Sequence, residues 1–180
     1  MSIEDSSRKL SYLLRHDCNY CYEADGWRLV SDLVDNHSFS LEEIGQIVRH
    51  DTKGRFELND DKSKVRALYG HSVKVDLALS NDTPPEFLYH GTAVKYISSI
   101  ENLGLLPRSR QYVHLTDNIE MAVRTGLRHG EPVILKISSF MMSRDGFLFH
   151  QLNNGVWLTK EVPIKYLEII IQNNDDYTSF

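Results

Sequence analysis

Two consecutive prolines, Pro84 and Pro85 in NDTPPEF (Asn81 to Phe87), constrain the fold of this chain more than any other feature. Proline fixes φ and has no N–H to donate, so neither a helix interior nor a central strand runs through the pair. The stretch reads as a linker, and the hydropathy pattern changes across it. Before it, Leu10, Leu13 and Leu14 mark a helix with one apolar stripe. Next, DGWRLVSDLV (Asp25 to Val34) reads as a tight turn followed by a short buried helix. SLEEIGQIV opens with Ser40 and Glu43 in capping-box spacing, and RFELNDDKSKVRAL reads as two short strands around Asn59-Asp60-Asp61. Helices followed by a hairpin suggest a winged-helix module over residues 1–80.

Beyond the prolines the chain is built on short strands. FLYHGT reads as strand then turn, and Val94, Ile97 and Ile100 mark a helix that Gly104 ends. YVHLT is a strand, and Thr116 or Asp117 is placed to cap a helix carrying Met121, Ala122 and Leu127 on its apolar side. VILKI, FLFH, VWLT and the terminal EIII are further strands. The expected class is α+β in two lobes, residues 1–80 and 81–180.

Net charge decides what kind of partner is feasible. It is −5, with 11 Lys and Arg against 14 Asp and Glu in residues 1–80, and 9 against 11 in residues 81–180. Neither half is a basic arm, so nucleic acid would be held by a few focused cations with a shallow salt dependence. No apolar run approaches the ~18 residues of a membrane span. The polar start MSIEDSSRKL is not a secretory signal, so the expectation is a cytoplasmic protein that does not contact membrane. No residue pattern reports oligomeric state, and a monomer is taken as the expectation. The only cysteines, Cys18 and Cys21, form CNYC. Without a second ligand pair or a strand–helix setting they read as ordinary thiols in a turn, and no metal is expected, though His16 and His37 lie within reach in sequence.

Five clusters join titratable groups to turn signals: LLRHD, KVRALYGHS, LYHGT, YVHLT and GLRHG. Arginine offers a rigid, permanently charged fork suited to phosphate, and histidine a donor whose charge changes near neutral pH. Each has a plainer explanation. Arg15 and Arg128 could complement helix C-termini, and Arg66 could be solvated on a wing. His90 and His114 could be satisfied strand residues, and His37, His50 and His150 read as structural. No dinucleotide glycine fingerprint, phosphate loop, zinc helix or nucleophile elbow is present, and no acid–base pair of carboxylates stands out.

Taken in order, KLSYLLRHD, DGWRLVSDLV, KGRFEL, KVRALYGHS, LYHGT, RQYVHLT, GLRHGEPVIL and NNGVWLTKEVP resemble the RNA 2′-phosphotransferase family. The resemblance implies a winged-helix RNA-binding lobe and an ADP-ribosyltransferase-like NAD-binding lobe, with the site between them. It implies a catalytic tetrad of Arg15, His16, Arg66 and Arg128, the three arginines holding the substrate phosphate. His71 and Ser72 are implied on the RNA side. His90, Gly91, Thr92, His114, Leu115, Thr116 and Val156 are implied to bind NAD. Val156 falls where most transferring ADP-ribosyltransferases carry glutamate, which suits an acceptor phosphate that is already nucleophilic. The wing motif usually reads closer to RANQGHS, and here Leu68 and Tyr69 stand in place of the amide pair. CNYC is not a family feature.

The implied reaction consumes NAD as a co-substrate. An internal RNA 2′-phosphate attacks the nicotinamide ribose and nicotinamide leaves, giving a 2′-phospho-ADP-ribosylated RNA. An adjacent ribose hydroxyl then attacks phosphorus, giving RNA 2′-OH and ADP-ribose 1″,2″-cyclic phosphate, as in tRNA splicing. His16 is implied as donor or general acid, with the ordinary imidazole pKa near ~6.5. Two other functions stay open on sequence grounds: ADP-ribosyl transfer to phosphorylated nucleic-acid ends or protein, and a winged-helix binder without catalysis.

Overall fold

The computed structural model describes residues 2–152 and 154–170. They form six α-helices and two antiparallel sheets, a mixed α and β architecture. The chain divides into two compact units. Unit 1 comprises Met1–Leu79 with Ser109–Gln111, and unit 2 comprises Ser80–Arg108 with Tyr112–Phe180.

In unit 1, α1 (Ile3–Arg15) starts where Ser2 accepts a hydrogen bond from the Asp5 N–H, satisfying one of the donors a helix start leaves unpaired. α2 (Val30–His37) and α3 (Leu41–Arg49) follow, and Ser40 caps α3 by accepting from the Glu43 N–H. β1 (Arg28–Leu29), β2 (Phe56–Leu58) and β3 (Lys64–Ala67) pair in the order β1-β3-β2. The leucines of α1 at helical spacing all enter one core, with Leu33, Ile44, Phe56 and Val65.

The DGWRLV turn contains a residue whose importance the hydropathy pattern hides. Arg28 is 1% exposed, yet it is the anchor of the turn that follows α1. Its guanidinium pairs with Asp17 at 2.8 Å and Asp32 at 2.6 Å, donates to the Leu13 carbonyl and stacks on Tyr20. A charge buried this deeply persists because two carboxylates and a carbonyl satisfy it. CNYC is thus pinned on both sides of Cys18, which like Cys21 is free and exposed. Among the described residues no group of three His, Cys, Asp or Glu is placed to hold a metal ion.

Unit 2 contains β4 (Leu88–Ala93), α4 (Ile97–Leu103), β5 (Val113–Thr116), α5 (Ile119–Leu127), β6 (Pro132–Ile137), α6 (Ser139–Arg144), β7 (His150–Gln151), β8 (Val156–Thr159) and β9 (Leu167–Ile170). Its sheet runs β7-β8-β5-β4-β6-β9. Leu88, Leu115, Leu135, Phe149 and Trp157 build its core. Gly104, at φ 74°, ends α4 as expected. The Asn81–Phe87 stretch is tied into this unit: Asp82 N–H donates to Phe149 O, and Ser139 Oγ–H to Pro85 O.

Several expectations need correction. In FLYHGT the strand begins at Leu88 and runs on through His90-Gly91-Thr92 with no turn, because Gly91 lets α5 lie directly on β4: a Cβ there would sit 1.7 Å from Ala122 O. The cap of α5 is Asn118, whose side chain accepts from the Met121 N–H, while Thr116 ends β5 and bonds the Asn118 N–H. The buried face of that helix is Ala122, Val123 and Gly126; Met121 and Leu127 are exposed. Small residues face the sheet because the approach is too close for large ones. Phe147 to Phe149 precede the short β7 rather than forming it, and α6 was not legible in the pattern. β9 covers Glu168 to Ile170 of the terminal EIII; Ile171 lies outside the described residues.

Candidate functional site

Unit 1 gathers four of the candidate residues at the C-terminus of α1. His16 is the C-cap of the helix, its N–H bonded to Tyr12 O at 2.8 Å. The orphan carbonyl of Arg15 accepts from the N–H groups of Ser72 (3.0 Å) and Val73 (3.3 Å). His16 Nδ1 and Ser72 Oγ are hydrogen bonded at 2.8 Å. The Arg15-His16 dipeptide is therefore a helix terminus and also the point where the His71-Ser72-Val73 segment docks.

The electrostatics of this cluster favour an anion. Arg15 stacks over Tyr69 at 4.9 Å and Phe56 at 5.8 Å, and its Nε and Nη2 are buried without a hydrogen-bond partner. Burial, then repulsion from Arg55 and Arg110, brings its pKa down to about 10, although the Tyr69 hydroxyl acts to raise it. His16 is shifted below the ordinary imidazole value by burial first and then by Arg15 and Arg110. That corrects the ordinary value expected for it. His71 is 2% exposed, with neither ring nitrogen partnered, and burial followed by Arg15 and His16 lowers its pKa to about 4. No carboxylate contributes to any of these three shifts. A buried arginine with no carboxylate among the groups that shift it is stabilised by an anion.

Gly70 makes room for this arrangement. At φ 87° it takes a conformation glycine adopts freely, and a Cβ there would touch the Arg15 guanidinium at 3.4 Å. Arg110 was present in RQYVHLT but not singled out, because its sequence neighbours belong to a strand motif. The Gln111 N–H donates to His71 O at 3.2 Å, which brings the segment to unit 1. Only tertiary contact reveals that.

Arg66 has a different environment. It lies on β3, directly across from Glu57 on β2, and both its Nε and Nη2 lie 2.7 Å from Glu57 Oε2. Its Nη1 is 3.8 Å from Asp25 Oδ2, and the guanidinium stacks over Trp27 at 4.5 Å. It is thus no solvated wing residue. Asp25, Trp27 and Glu57 were not singled out from sequence; the strand register would have paired Glu57 with Arg66 had the hairpin turn been counted.

Unit 2 carries the other candidates. β4, β5 and β8 are neighbouring strands, so His90, Gly91, Thr92, His114, Leu115, Thr116 and Val156 share one sheet, with Val156 directly opposite Thr116. His90 Nδ1–H donates to His114 O at 2.9 Å, which makes its Nε2 an acceptor in the neutral ring. Leu115 points into the core, and Thr92 and Thr116 are buried. Arg128 is the exposed C-cap of α5, its Nε–H directed at Arg124 O.

Residues 2–161 match the family described as RNA 2′-phosphotransferase, Tpt1 / KptA family. A protein of Acaryochloris marina is 44% identical over 168 residues, 89% of this chain and 93% of its own. One of Burkholderia pseudomallei is 43% identical over 171 residues, 91% and 93% of the two chains. One of Flavobacterium johnsoniae is 42% identical over 170 residues, 90% and 93%. All three carry the name "Probable RNA 2'-phosphotransferase". A match across most of both chains at this identity leaves one assignment: the chain belongs to the RNA 2′-phosphotransferase, Tpt1 / KptA family.

Proposed function

We propose that this protein removes the 2′-phosphate from RNA by transferring it to NAD, which is consumed as co-substrate. Family membership across residues 2–161 carries the proposal. The buried Arg15 guanidinium at the end of α1, whose shift no carboxylate opposes, supports it, since a phosphate is an anion such a group suits. In this proposal unit 1, with its three helices and small sheet, is a winged-helix RNA-binding lobe. Unit 2 is an ADP-ribosyltransferase-like lobe that takes NAD on β4, β5 and β8.

The chemistry asks for orientation and charge stabilisation more than for a base, because the attacking phosphate is already anionic. Arg15, Arg66 and Arg128 are the groups assigned to hold it and to stabilise charge building on its oxygens. NAD supplies, when bound, an electrophilic ribose carbon and nicotinamide as leaving group. His90, its ring held by the hydrogen bond between Nδ1 and the His114 carbonyl, is assigned to position the nicotinamide ribose. His16 is neutral at pH 7 in the ligand-free protein, since burial and two arginines lower its pKa. A bound dianion opposes that shift, so His16 gains its proton as substrate arrives and can deliver it to the departing RNA oxygen. Ser72 orients the ring through Nδ1.

Incubation with NAD and a 2′-phosphorylated oligoribonucleotide should yield the 2′-hydroxyl product and free nicotinamide. An RNA that keeps its phosphate overturns the proposal, and one that retains ADP-ribose identifies a transferase that stops after the first step. Arg66→Ala should lower the rate by at least ~10²-fold, as loss of one preorganised donor does elsewhere.

A further inference from the structure

Arg66 is the most thoroughly engaged cation of the proposed site, and all the groups that engage it are outside the tetrad. Glu57 Oε2 takes the whole Nε–Nη2 edge of the guanidinium at 2.7 Å. Asp25 Oδ2 stands 3.8 Å from Nη1, and the half-buried Trp27 supplies a flat surface 4.5 Å from the guanidinium carbon. Asp25 is fixed in turn: it sits at φ 60°, its N–H donates to Asp76 O, and its Oδ1 accepts from the Ala78 N–H. An ordinary cross-strand pair on a hairpin has one partner and a freely rotating arginine. Here an edge, a face and an end of the planar group are all determined.

We propose that Glu57, with Trp27, is a positioning residue that holds the Arg66 guanidinium ready for the RNA phosphate; this rests on Arg66 being a phosphate ligand. A flexible arginine would lose rotamer freedom when the phosphate binds, and this one has lost it on folding. The arrangement has an electrostatic cost, because the Glu57 carboxylate repels the incoming dianion while it steers the guanidinium. The two effects act on different kinetic constants. Position governs kcat through the transition state, and repulsion weakens RNA binding. Glutamine separates them: its amide oxygen still accepts from the Nε–Nη2 edge, without the charge.

The test compares Glu57→Ala and Glu57→Gln with the wild type on NAD and a 2′-phosphorylated oligoribonucleotide, each variant checked for a native circular dichroism spectrum. Glu57→Ala should lose roughly ten- to a hundred-fold in kcat. Glu57→Gln should keep kcat within about threefold of wild type and show a lower KM for RNA. A Glu57→Ala enzyme with wild-type kcat overturns the proposal, as does a Glu57→Gln enzyme that falls as far as the alanine variant. A second arm needs no catalysis. In a Trp157→Phe background Trp27 is the only remaining tryptophan of the two in the chain. Its emission should change when Glu57→Ala is added, with neither RNA nor NAD present, as the guanidinium leaves the ring. Unchanged emission overturns the proposal. A wild type inactive on the RNA defeats the functional assignment instead, and the emission arm still decides the geometry.

Discussion

At the scale of single residues, the end of α1 shows how one dipeptide serves two purposes. Arg15 and His16 close a helix, and their burial beside Arg110 gives them no carboxylate to lean on. His71 extends the same logic to stability. Its folded pKa, about 4, lies below the ordinary imidazole value of 6.5. Between those values the unfolded chain holds the proton and the folded one does not, so stability rises with pH across this window. It is complete above pH ~6.5 and lost as pH falls toward ~4, by up to about 3 kcal/mol from this group. Urea unfolding at pH 7 and pH 4.5 should show that loss, and His71→Gln should flatten it. An unchanged pH slope in the variant would assign the loss to other groups.

At the scale of elements, the contact of α5 with β4 decides how the second unit is built. Gly91 and Gly126 lie at the contact: a Cβ on Gly91 would reach Ala122 O at 1.7 Å, and one on Gly126 would reach Thr92 O at 2.7 Å. Both clashes are with backbone, which cannot rotate away. Gly91→Ala should therefore destabilise by more than about 3 kcal/mol, beyond ordinary overpacking. The measurement is the thermal unfolding midpoint, and a variant within a degree of wild type would show that the helix simply shifts. The β2–β3 hairpin teaches a related lesson. A register that pairs Glu57 with Arg66 turns two unremarkable charges into one positioned group.

At the scale of the whole molecule, an acidic chain is proposed to act on a polyanion. Net charge is −5, so the chain as a whole exerts no broad attraction on nucleic acid. Binding of a 2′-phosphorylated single strand should then depend only weakly on salt, with a slope of log K against log salt of about −2 to −3, from three or four phosphate contacts. Fluorescence anisotropy between 50 and 300 mM salt measures it; a slope steeper than about −5 would mean that a long backbone track is held. Among the described residues no helix is long and apolar enough to cross a membrane.

Periodicity and turn chemistry were enough to locate α1, α3, the hairpin and most strands of the second unit, because each depends on residues a few positions apart. The order of motifs was enough to identify the family, since folding and catalysis constrain many short stretches at once. Local pattern could not supply what depends on long-range contact. Arg28 buries its charge because Asp17 and Asp32 converge on it. FLYHGT stays extended through glycine because a helix from later in the chain lies on it. His71 loses its proton, and Arg66 its freedom, to neighbours that lie elsewhere in the sequence. Hydropathy records which residues leave water. Only the tertiary structure decided which charges they meet when they do.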